Sequence, residues 1–298
     1  MTIELHKSAH KMGLSISKSS NWSAEGKNLI ITGASSGIGA ELARNFAKEG
    51  SSLALISRNK DSLSAVKKEC EELGATRVEI FSCDVTKEDE LNVSVESAAA
   101  IFGRFDVLVL NAGRSQGCYF EEIKDVASIN YMLKLNVNGV INFLLYALPF
   151  VPKSSSSRIV IMSSVAGLIP VPYRTIYSAS KHALTGFANS LRIELNDSYG
   201  KNAPIIQLIN FPEVKGTNLN SGRMSFGADI PPIEFITDSR VATVQKACAD
   251  LMQQIVAGTN EWGQPLKLKI LLPVRCLIAG VIDYIILKAV KKTHLRPE

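Results

Sequence analysis

Cysteine is scarce and scattered along this chain of 298 residues. Its five cysteines are widely spaced and odd in number, and no Cys-x-x-Cys pair occurs. Such spacing argues against a disulfide framework and against a zinc site. We therefore expect no bound metal, and we expect an intracellular protein of a reducing compartment that is not secreted.

Basic runs and long apolar runs are also missing from most of the sequence. Lysine and arginine exceed the acidic residues by five, and no basic run is interleaved with aromatic residues, so nucleic acid is not indicated as a partner. The first 28 residues contain no apolar stretch long enough for a signal peptide or a membrane span, and we expect neither there. A hydrophobic content of 46% and a mean hydropathy of +0.12 still allow a sizeable core.

Short apolar runs alternate with helical patterns six times before residue 210. This alternation predicts an α/β fold, a doubly wound Rossmann-type parallel sheet with helices on both faces. We expect three segments: a polar lead-in at 1–25, a single Rossmann-type domain at 26–263, and an apolar, helical C-terminal extension with a basic tail at 264–298. Ligands bind such sheets at the carboxyl ends of the strands.

The same patterns predict individual elements of the sheet and its helices. Apolar runs at 158–162 and 205–209 indicate the fifth and sixth strands, and helical periodicity covers about 123–148 and 238–257. The seventh strand has only the short candidate 260–262.

A strand at 28–32 runs directly into a glycine-rich turn at 33–39 and then into a helical pattern. This layout presents backbone N–H groups and a helix N-terminus to a phosphate. The glycine spacing differs from the common Gly-x-Gly-x-x-Gly fingerprint, so an ordinary tight turn is the alternative. At the end of the second strand Arg58 stands where an acid would favour NAD. We expect NADP, with a solvated loop cation as the alternative.

Tyr177 and Lys181 lie four residues apart in a helical pattern, and therefore on one face of a helix, one turn apart. A free phenol has a pKa near 10, and bringing it to about 7 requires roughly 4 kcal/mol of preference for the phenolate. A lysine ammonium about 5 Å away supplies on the order of 3 kcal/mol. The pair predicts a proton-transfer site, with a surface tyrosine beside a solvated lysine as the alternative. Asn136 is unfavourable in the interior of a predicted helix, which invites either a functional reason or core hydrogen bonding.

These features together resemble the short-chain dehydrogenase/reductase superfamily over about residues 26–257. Its motifs occur here in the family's order: Thr32-Gly33-x-x-x-Gly37-x-Gly39, Asp84, Asn111-Ala112-Gly113, Asn136, Ser164 and Tyr177-x-x-x-Lys181. Within the superfamily the chain is similar to the microsomal carbonyl reductases around corticosteroid 11-beta-dehydrogenase and dehydrogenase/reductase member seven. That similarity lies in 180–187, 190–195 and the apolar extension.

The resemblance implies a catalytic set of four residues and a cofactor site. Tyr177 would be the general acid, and Ser164 would hydrogen-bond the same carbonyl oxygen. Lys181 would bind the ribose and hold the tyrosine pKa down, while Asn136 would order a water that links Lys181 to solvent. The cofactor, NADP(H) in preference to NAD(H), would contact the following residues: Gly33, Ser35, Ser36, Gly37, Ile38, Gly39, Arg58, Asn59, Asp84, Val85, Asn111, Ala112, Gly113, Tyr177, Lys181, Pro212 and Val214.

The chain departs from the family's pattern after the sixth strand. Family members usually have Pro-Gly there, whereas this sequence has an altered segment at 211–217 with one inserted residue, beside the expected nicotinamide position. Close relatives also often carry an N-terminal membrane helix, which we do not expect in this sequence.

Apolar stretches indicate the partners. The loop at 166–173 suggests a small lipophilic carbonyl substrate such as a steroid, a retinoid or a lipid ketone, unless it is a dimer contact or plain core. The stretch 264–290 is apolar but interrupted by charges, which predicts a membrane-surface element, for example on the cytosolic face of the endoplasmic reticulum. Packing on the domain or across a dimer interface is the alternative. The family implies a homodimer or a homotetramer.

Three functions are compatible with the sequence. The first is an NADP(H)-dependent oxidoreductase that interconverts a carbonyl and an alcohol on a lipophilic substrate. The second is a 3-ketosphinganine-type lipid reductase, which would need room for a long acyl chain. The third is a membrane-surface binding or scaffold protein that keeps the fold without turnover; the complete Ser-Tyr-Lys-Asn set argues against it.

Overall fold

The computed structural model describes residues 22–211, 214, 217, 224, 226 and 242–262. Within these residues seven strands form one parallel sheet in the order β3-β2-β1-β4-β5-β6-β7. The strands, in chain order, are β1 Asn28–Thr32, β2 Ser52–Ser57, β3 Arg77–Ser82, β4 Val107–Leu110, β5 Arg158–Ser164, β6 Ile205–Phe211 and β7 Glu261–Trp262.

Helices connect the strands and cover both faces of the sheet. They are α1 Gly37–Lys48, α2 Lys60–Glu72, α3 Glu88–Phe102, α4 Val126–Leu133, α5 Gly139–Ala147, α6 Thr175–Tyr199 and α7 Val244–Ala257. The predicted doubly wound parallel sheet is therefore confirmed. Because the strand order reverses direction between β1 and β4, a crevice opens at their carboxyl ends.

Two hydrophobic cores lie on opposite sides of the sheet. Leu29 and Ile31 of β1 pack into the core beneath α1, α2 and α7, whereas Ile30 packs into the core beneath α3, α5 and α6. Successive side chains of a strand point to opposite faces, so a strand buried on both sides is apolar throughout. This explains why the strands appear in the sequence as continuous apolar runs.

The fifth and sixth strands are two residues longer than predicted. Their parallel pairing continues through Ser163↔Asn210 and Ser164↔Phe211, beyond the apolar runs that marked them in the sequence. Polar residues can therefore be part of the ladder, and Ser164 is held by the sheet itself. The short candidate at 260–262 does form a strand, because Glu261 and Trp262 pair with β6.

Two predicted helix boundaries are wrong. The helix predicted over 123–148 begins at Val126, because the Asp125 carboxylate accepts a hydrogen bond from the N–H of Ala127 and caps it. It is also interrupted by a π-helical turn, Lys134–Asn138. The helix predicted over 238–257 begins at Val244, where the side chain of Thr243 caps the first turn.

One helical stretch, Val126–Phe150, has the length and composition of a membrane-spanning helix. Met132, Asn136 and Phe143 of this stretch are nevertheless fully buried within the domain. A helix that packs one face on the sheet explains the same apolarity, so we interpret the stretch as a core helix.

Several predictions fall outside the described residues. These are the lead-in as far as residue 21, Pro212 and most of the altered segment 211–217, and the C-terminal extension 264–298 with its proposed membrane-surface element.

Candidate active site

The turn between β1 and α1 brings backbone close to backbone. Gly33 and Gly37 have φ values of +66° and +56°, which a residue with a side chain rarely adopts. A Cβ on Gly39 would lie 2.3 Å from the carbonyl oxygen of Gly33 and 2.6 Å from Asn111 Nδ2. Ser36 makes no side-chain cap, so the N–H groups at the start of α1 are presented to the crevice that Ser36, Gly37 and Ile38 line. Such a cradle suits a pyrophosphate.

Asn111 holds the turn against the neighbouring strand. Its Nδ2 donates to the carbonyl oxygens of Thr32 and Gly33, at 3.1 and 3.2 Å. The hydroxyl of Thr32 in turn accepts from the backbone N–H groups of Asn111 and Ala112. The side chain of Asn111 therefore shapes the floor of the crevice.

The end of β2 collects hydroxyl groups and one guanidinium. The Oγ atoms of Ser35 and Ser57 are 2.7 Å apart. Arg58 is exposed, donates to the hydroxyl oxygen of Tyr131 at 2.9 Å, and lies 3.9 Å from a carboxylate oxygen of Asp84. Asp84 follows the neighbouring strand β3, and the described residues directly after β2 include no carboxylate in the position that receives ribose hydroxyls in an NAD site.

Two of the predicted cofactor contacts at this end are engaged in local turns. The Asn59 side chain accepts from the backbone N–H of Ser62 and caps α2. One carboxylate oxygen of Asp84 accepts from both the N–H and the hydroxyl of Thr86. Both residues still line the crevice, where they would contact an adenosine mainly through their backbone and remaining lone pairs.

Tyr177, Lys181 and Ser164 line the same crevice and are all buried. Lys181 Nζ lies 5.7 Å from the centre of the Tyr177 ring and donates to the carbonyl oxygen of Met162 at 2.8 Å. Burial lowers the pKa of Lys181 from its ordinary 10.5 to about 8, so the ammonium form still predominates at neutral pH. Ser164 Oγ accepts from the N–H of Ala166, which leaves its O–H able to donate into the crevice.

Asn136 lies in the π-helical turn and is fully buried. Its side chain accepts from the N–H of Arg114 and donates to the carbonyl oxygen of Arg114, both at 2.9 Å, and it also donates to Ser180 Oγ at 3.1 Å. It thereby joins the loop after β4 to α6. π-Helical turns occur frequently at functional sites. Asn136 is not among the residues that line the crevice, and the predicted role in ordering water stays a prediction.

Gln116 holds the start of α6 from a distant part of the chain. Its Oε1 accepts from the backbone N–H of Ile176 at 2.8 Å and of Tyr177 at 3.4 Å. These are first-turn N–H groups with no partner inside the helix, and the N-cap residue Arg174 makes no side-chain cap. Gln116 thus substitutes for a local cap directly at the candidate catalytic tyrosine.

The crevice has a volume of about 940 Å³ and extends from the glycine-rich turn after β1 to Tyr177 and Lys181. Of the predicted cofactor contacts, Gly39 lies beneath its floor and Pro212 lies outside the described residues; the others line it. Residues that line it but were not predicted are Ser57, Ser62, Cys83, Arg114, Leu135, Met162, Ser163, Arg174, Phe211 and Thr217. A signal existed for Arg174, because it is a charged residue directly after the apolar loop and three residues before Tyr177.

The sheet is parallel and doubly wound, and a glycine-rich turn that suits a phosphate lies where the strand order reverses. The crevice at this turn extends to the buried Tyr-Lys pair. This combination defines the class of dinucleotide-dependent oxidoreductases. Residues 27–203 match the short chain dehydrogenase family. The chain belongs to this family, in its 11-beta-hydroxysteroid dehydrogenase-like branch.

Relatives in plants support the assignment of the chain to this branch. The "11-beta-hydroxysteroid dehydrogenase A" of Sesamum indicum is 30% identical over 240 residues, which is 80% of this chain and 68% of that protein. The "11-beta-hydroxysteroid dehydrogenase-like 2" of Arabidopsis thaliana is 30% identical over 275 residues, 91% of this chain and 84% of that protein. A third relative, "11-beta-hydroxysteroid dehydrogenase-like 5" of Arabidopsis thaliana, is 38% identical, but the match spans 59% of this chain and only 45% of that protein.

A solved structure shares the fold. The crystal structure of a short chain dehydrogenase/reductase from Burkholderia phymatum in complex with NAD superposes with a TM-score of 0.74 and covers 87% of this chain and 96% of its own. At 21% sequence identity this likeness shows the fold alone.

Proposed function

We propose that this protein interconverts a carbonyl and an alcohol on a lipophilic substrate, with NADP(H) as the cofactor. The observation that carries the proposal is the buried Tyr177 with the Lys181 ammonium 5.7 Å from its ring, in one crevice with the glycine-rich turn. The reduced nicotinamide, when bound, supplies a hydride to the carbonyl carbon.

Tyr177 would donate the proton that balances the reaction. As the carbonyl carbon is reduced, the phenol O–H protonates the carbonyl oxygen, and the reverse transfer accompanies oxidation of the alcohol. The Lys181 amine lies 5.7 Å from the ring centre, and its positive charge stabilises the resulting phenolate. Two unit charges about 5 Å apart attract by about 3 kcal/mol at an effective dielectric near 20. Ser164 would donate a hydrogen bond to the same oxygen, and Lys181 would also hold the ribose hydroxyls.

Replacement of Tyr177 by Phe tests the enzyme against the scaffold alternative. We expect kcat for carbonyl-dependent oxidation of NADPH to fall by about 100-fold or more, because the proton donor is lost, while cofactor affinity by fluorescence titration changes little. Tyr146→Phe is the matched control, since its hydroxyl bonds Glu88 on an exposed surface and should not affect turnover. Unchanged turnover in Tyr177→Phe would reject the mechanism, and absence of any turnover in the wild type would favour the scaffold.

The NADP preference is supported by the hydroxyls of Ser35 and Ser57 and the guanidinium of Arg58 at the end of β2. A 2′-phosphate would meet donors and a positive charge there. We expect Arg58→Gln to weaken NADPH binding by roughly 10- to 100-fold and NADH binding by less than about threefold. Arg77→Gln, at the start of β3 and outside the crevice, controls for surface charge. Equal loss for both cofactors would contradict the assignment.

The lipophilic character of the substrate is supported by apolar residues beside the catalytic group. Met162, Phe211 and Val214 line the crevice, and a cluster that includes Met132 and Phe226 packs against Tyr177. The relatives' names, which refer to a hydroxysteroid, point the same way. Initial rates on steroid, retinoid and aliphatic ketones, compared with small water-soluble ketones, test this part; higher kcat/KM for the small ketones would reject it.

A further inference from the structure

Arg58 and Tyr131 join two sides of the crevice at its nucleotide end. Arg58 directly follows β2, whereas Tyr131 lies on α4, 73 positions later in the chain. The Nη1 atom of Arg58 donates to the hydroxyl oxygen of Tyr131 at 2.9 Å. Arg58 lines the crevice and Tyr131 does not, so the guanidinium links the tyrosine to the site.

The ring of Tyr131 is held by the core of the domain. It is half-buried and packs against the core beneath α3, α5 and α6. Val85 and Leu135 belong to the same core and line the crevice. A ring held by packing presents its hydroxyl in a fixed place, whereas an unrestrained arginine side chain samples many rotamers. The bond from Arg58 therefore restrains the guanidinium at the crevice.

The carboxylate of Asp84 is a competing partner for the same guanidinium. Its Oδ2 lies 3.9 Å from Arg58 Nη1, beyond hydrogen-bonding distance, while its Oδ1 accepts from the N–H and the hydroxyl of Thr86. A guanidinium released from Tyr131 would be free to close this gap and to pair with Asp84 at the end of β3. The bond to Tyr131 keeps the two charged groups apart.

One edge of the Arg58 guanidinium stays available for a ligand. Its contacts with the described residues are made by Nη1, and none of these residues accepts from Nε or Nη2. An arginine can donate two parallel hydrogen bonds from this edge to a phosphate. The phenol oxygen of Tyr131 is a neutral acceptor, so it orients the guanidinium without cancelling its charge. The hydroxyls of Ser35 and Ser57 meet at the same end of β2.

We propose that Tyr131 is a positioning residue for cofactor selection, whose hydroxyl holds Arg58 where the guanidinium binds the 2′-phosphate of NADP(H). This inference rests on the proposed cofactor preference and adds a residue of α4 to it. A guanidinium that is already oriented binds a phosphate without first losing its rotamer freedom or leaving a carboxylate. Tyr131 acts through Arg58, because its ring lies outside the crevice.

Binding of two adenosine fragments tests the proposal. The fragments are 2′,5′-ADP, which carries the 2′-phosphate, and 5′-AMP, which lacks it, and titration calorimetry measures their dissociation constants. We expect Tyr131→Phe to weaken binding of 2′,5′-ADP by about 3- to 10-fold and of 5′-AMP by less than about twofold. Only the first fragment uses the restrained guanidinium. Phenylalanine keeps the ring and its packing, and an unchanged thermal unfolding midpoint verifies this.

A double-mutant cycle shows whether Tyr131 acts through Arg58. In an Arg58→Gln background we expect Tyr131→Phe to change the affinity for 2′,5′-ADP by less than about twofold. A general loss of structure at α4 would instead affect both fragments in both backgrounds. Tyr146→Phe is the matched control, since its hydroxyl bonds Glu88 on an exposed surface outside the crevice and both affinities should stay unchanged.

Three results would overturn the proposal. They are an equal loss for both fragments in Tyr131→Phe, no loss for either, or a loss for 2′,5′-ADP that is as large in the Arg58→Gln background as in the wild type. The NADP preference survives each of these results as long as the wild type binds 2′,5′-ADP more tightly than 5′-AMP.

Failure of the proposed function is distinguishable from failure of this inference. If no carbonyl is reduced, the catalytic part of the proposed function fails, and the fragment affinities still decide the role of Tyr131. A wild type that binds both fragments equally rejects the NADP preference and this inference together.

Discussion

Lys181 carries the most strongly perturbed amine of the site. Its ammonium is buried and bonded to one carbonyl oxygen, and burial lowers its pKa from 10.5 to about 8. The charged form is therefore less stable in the folded protein than in the unfolded chain.

This perturbation predicts a pH dependence of stability for the cofactor-free protein. Between about pH 8 and 10.5 the unfolded chain holds a proton on Lys181 that the folded protein has released, so the Lys181 contribution to stability rises with pH. We expect the free energy of unfolding of the wild type, minus that of Lys181→Met, to increase by about 3 kcal/mol across this window. Urea unfolding at several pH values measures it.

The subtraction is necessary because burial raises the pKa of all four described thiols, which acts in the opposite direction, and the shift is largest for two of them. Burial raises the pKa of Cys70 and Cys248 to about 12, so the unfolded chain loses their protons first and stability falls above about pH 9. All four thiols are present in the wild type and in Lys181→Met, and their effect cancels in the difference. A difference that stays flat with pH would show that the ammonium is not desolvated.

At the scale of elements, the N-terminus of α6 is the critical feature. The sequence places Tyr177 in the first turn of this helix, where backbone N–H groups need outside partners. Gln116, from the loop after β4, supplies the acceptor for two of them. The orientation of the tyrosine thus depends on a residue 61 positions earlier in the chain.

We expect Gln116→Met to lower kcat by about tenfold with little change in cofactor affinity, because the tyrosine loses its fixed position while the nucleotide end stays intact. Gln116→Glu keeps an acceptor for the helix N–H groups and should restore much of kcat. Gln207→Met is the matched control, since Gln207 is equally buried but bonds the carbonyl oxygens of Gln254 and Thr259, away from the crevice. Equal effects on kcat from Gln116→Met and Gln207→Met would mean that the loss comes from general destabilisation.

At the scale of the whole molecule, the helices over one face of the sheet present exposed apolar side chains. Leu145 on α5 is 67% exposed and Ile193 on α6 is 70% exposed. Both helices pack on the same core, so the two side chains lie on one side of the domain. If the two side chains form part of one apolar patch, this side of the domain is a candidate interface between copies.

The homodimer or homotetramer stays a prediction, and these residues offer its test. We expect the double variant Leu145→Glu, Ile193→Glu to sediment as a monomer at micromolar concentration, because charges would be desolvated at the interface. Leu73→Glu, at an exposed apolar residue that follows α2 over the other face of the sheet, is the control and should leave the assembly unchanged. A wild type that sediments as a monomer would refute the prediction.

Local regularities made much of the fold predictable from the sequence. Apolar runs of strand length, helical periodicity and the glycine-rich turn depend on backbone geometry within a few residues, and they specified the order of strands and helices. The four-residue spacing of Tyr177 and Lys181 also predicted that they share one helical face. In the structure the Lys181 amine lies 5.7 Å from the centre of the Tyr177 ring.

Tertiary structure decided the features that join distant parts of the chain. The cap on α6 by Gln116, the use of Asn111 to hold the β1 turn, and the π-helical turn around Asn136 depend on side chains that meet only after folding. Arg174 likewise lines the crevice only because the fold brings the start of α6 to the sheet edge. Local hydrogen bonding depends on residues that are close in the sequence, so the sequence indicates it directly. Contacts between residues more than fifty positions apart depend on how the two cores pack on the sheet. Such contacts determine which charged groups line the crevice.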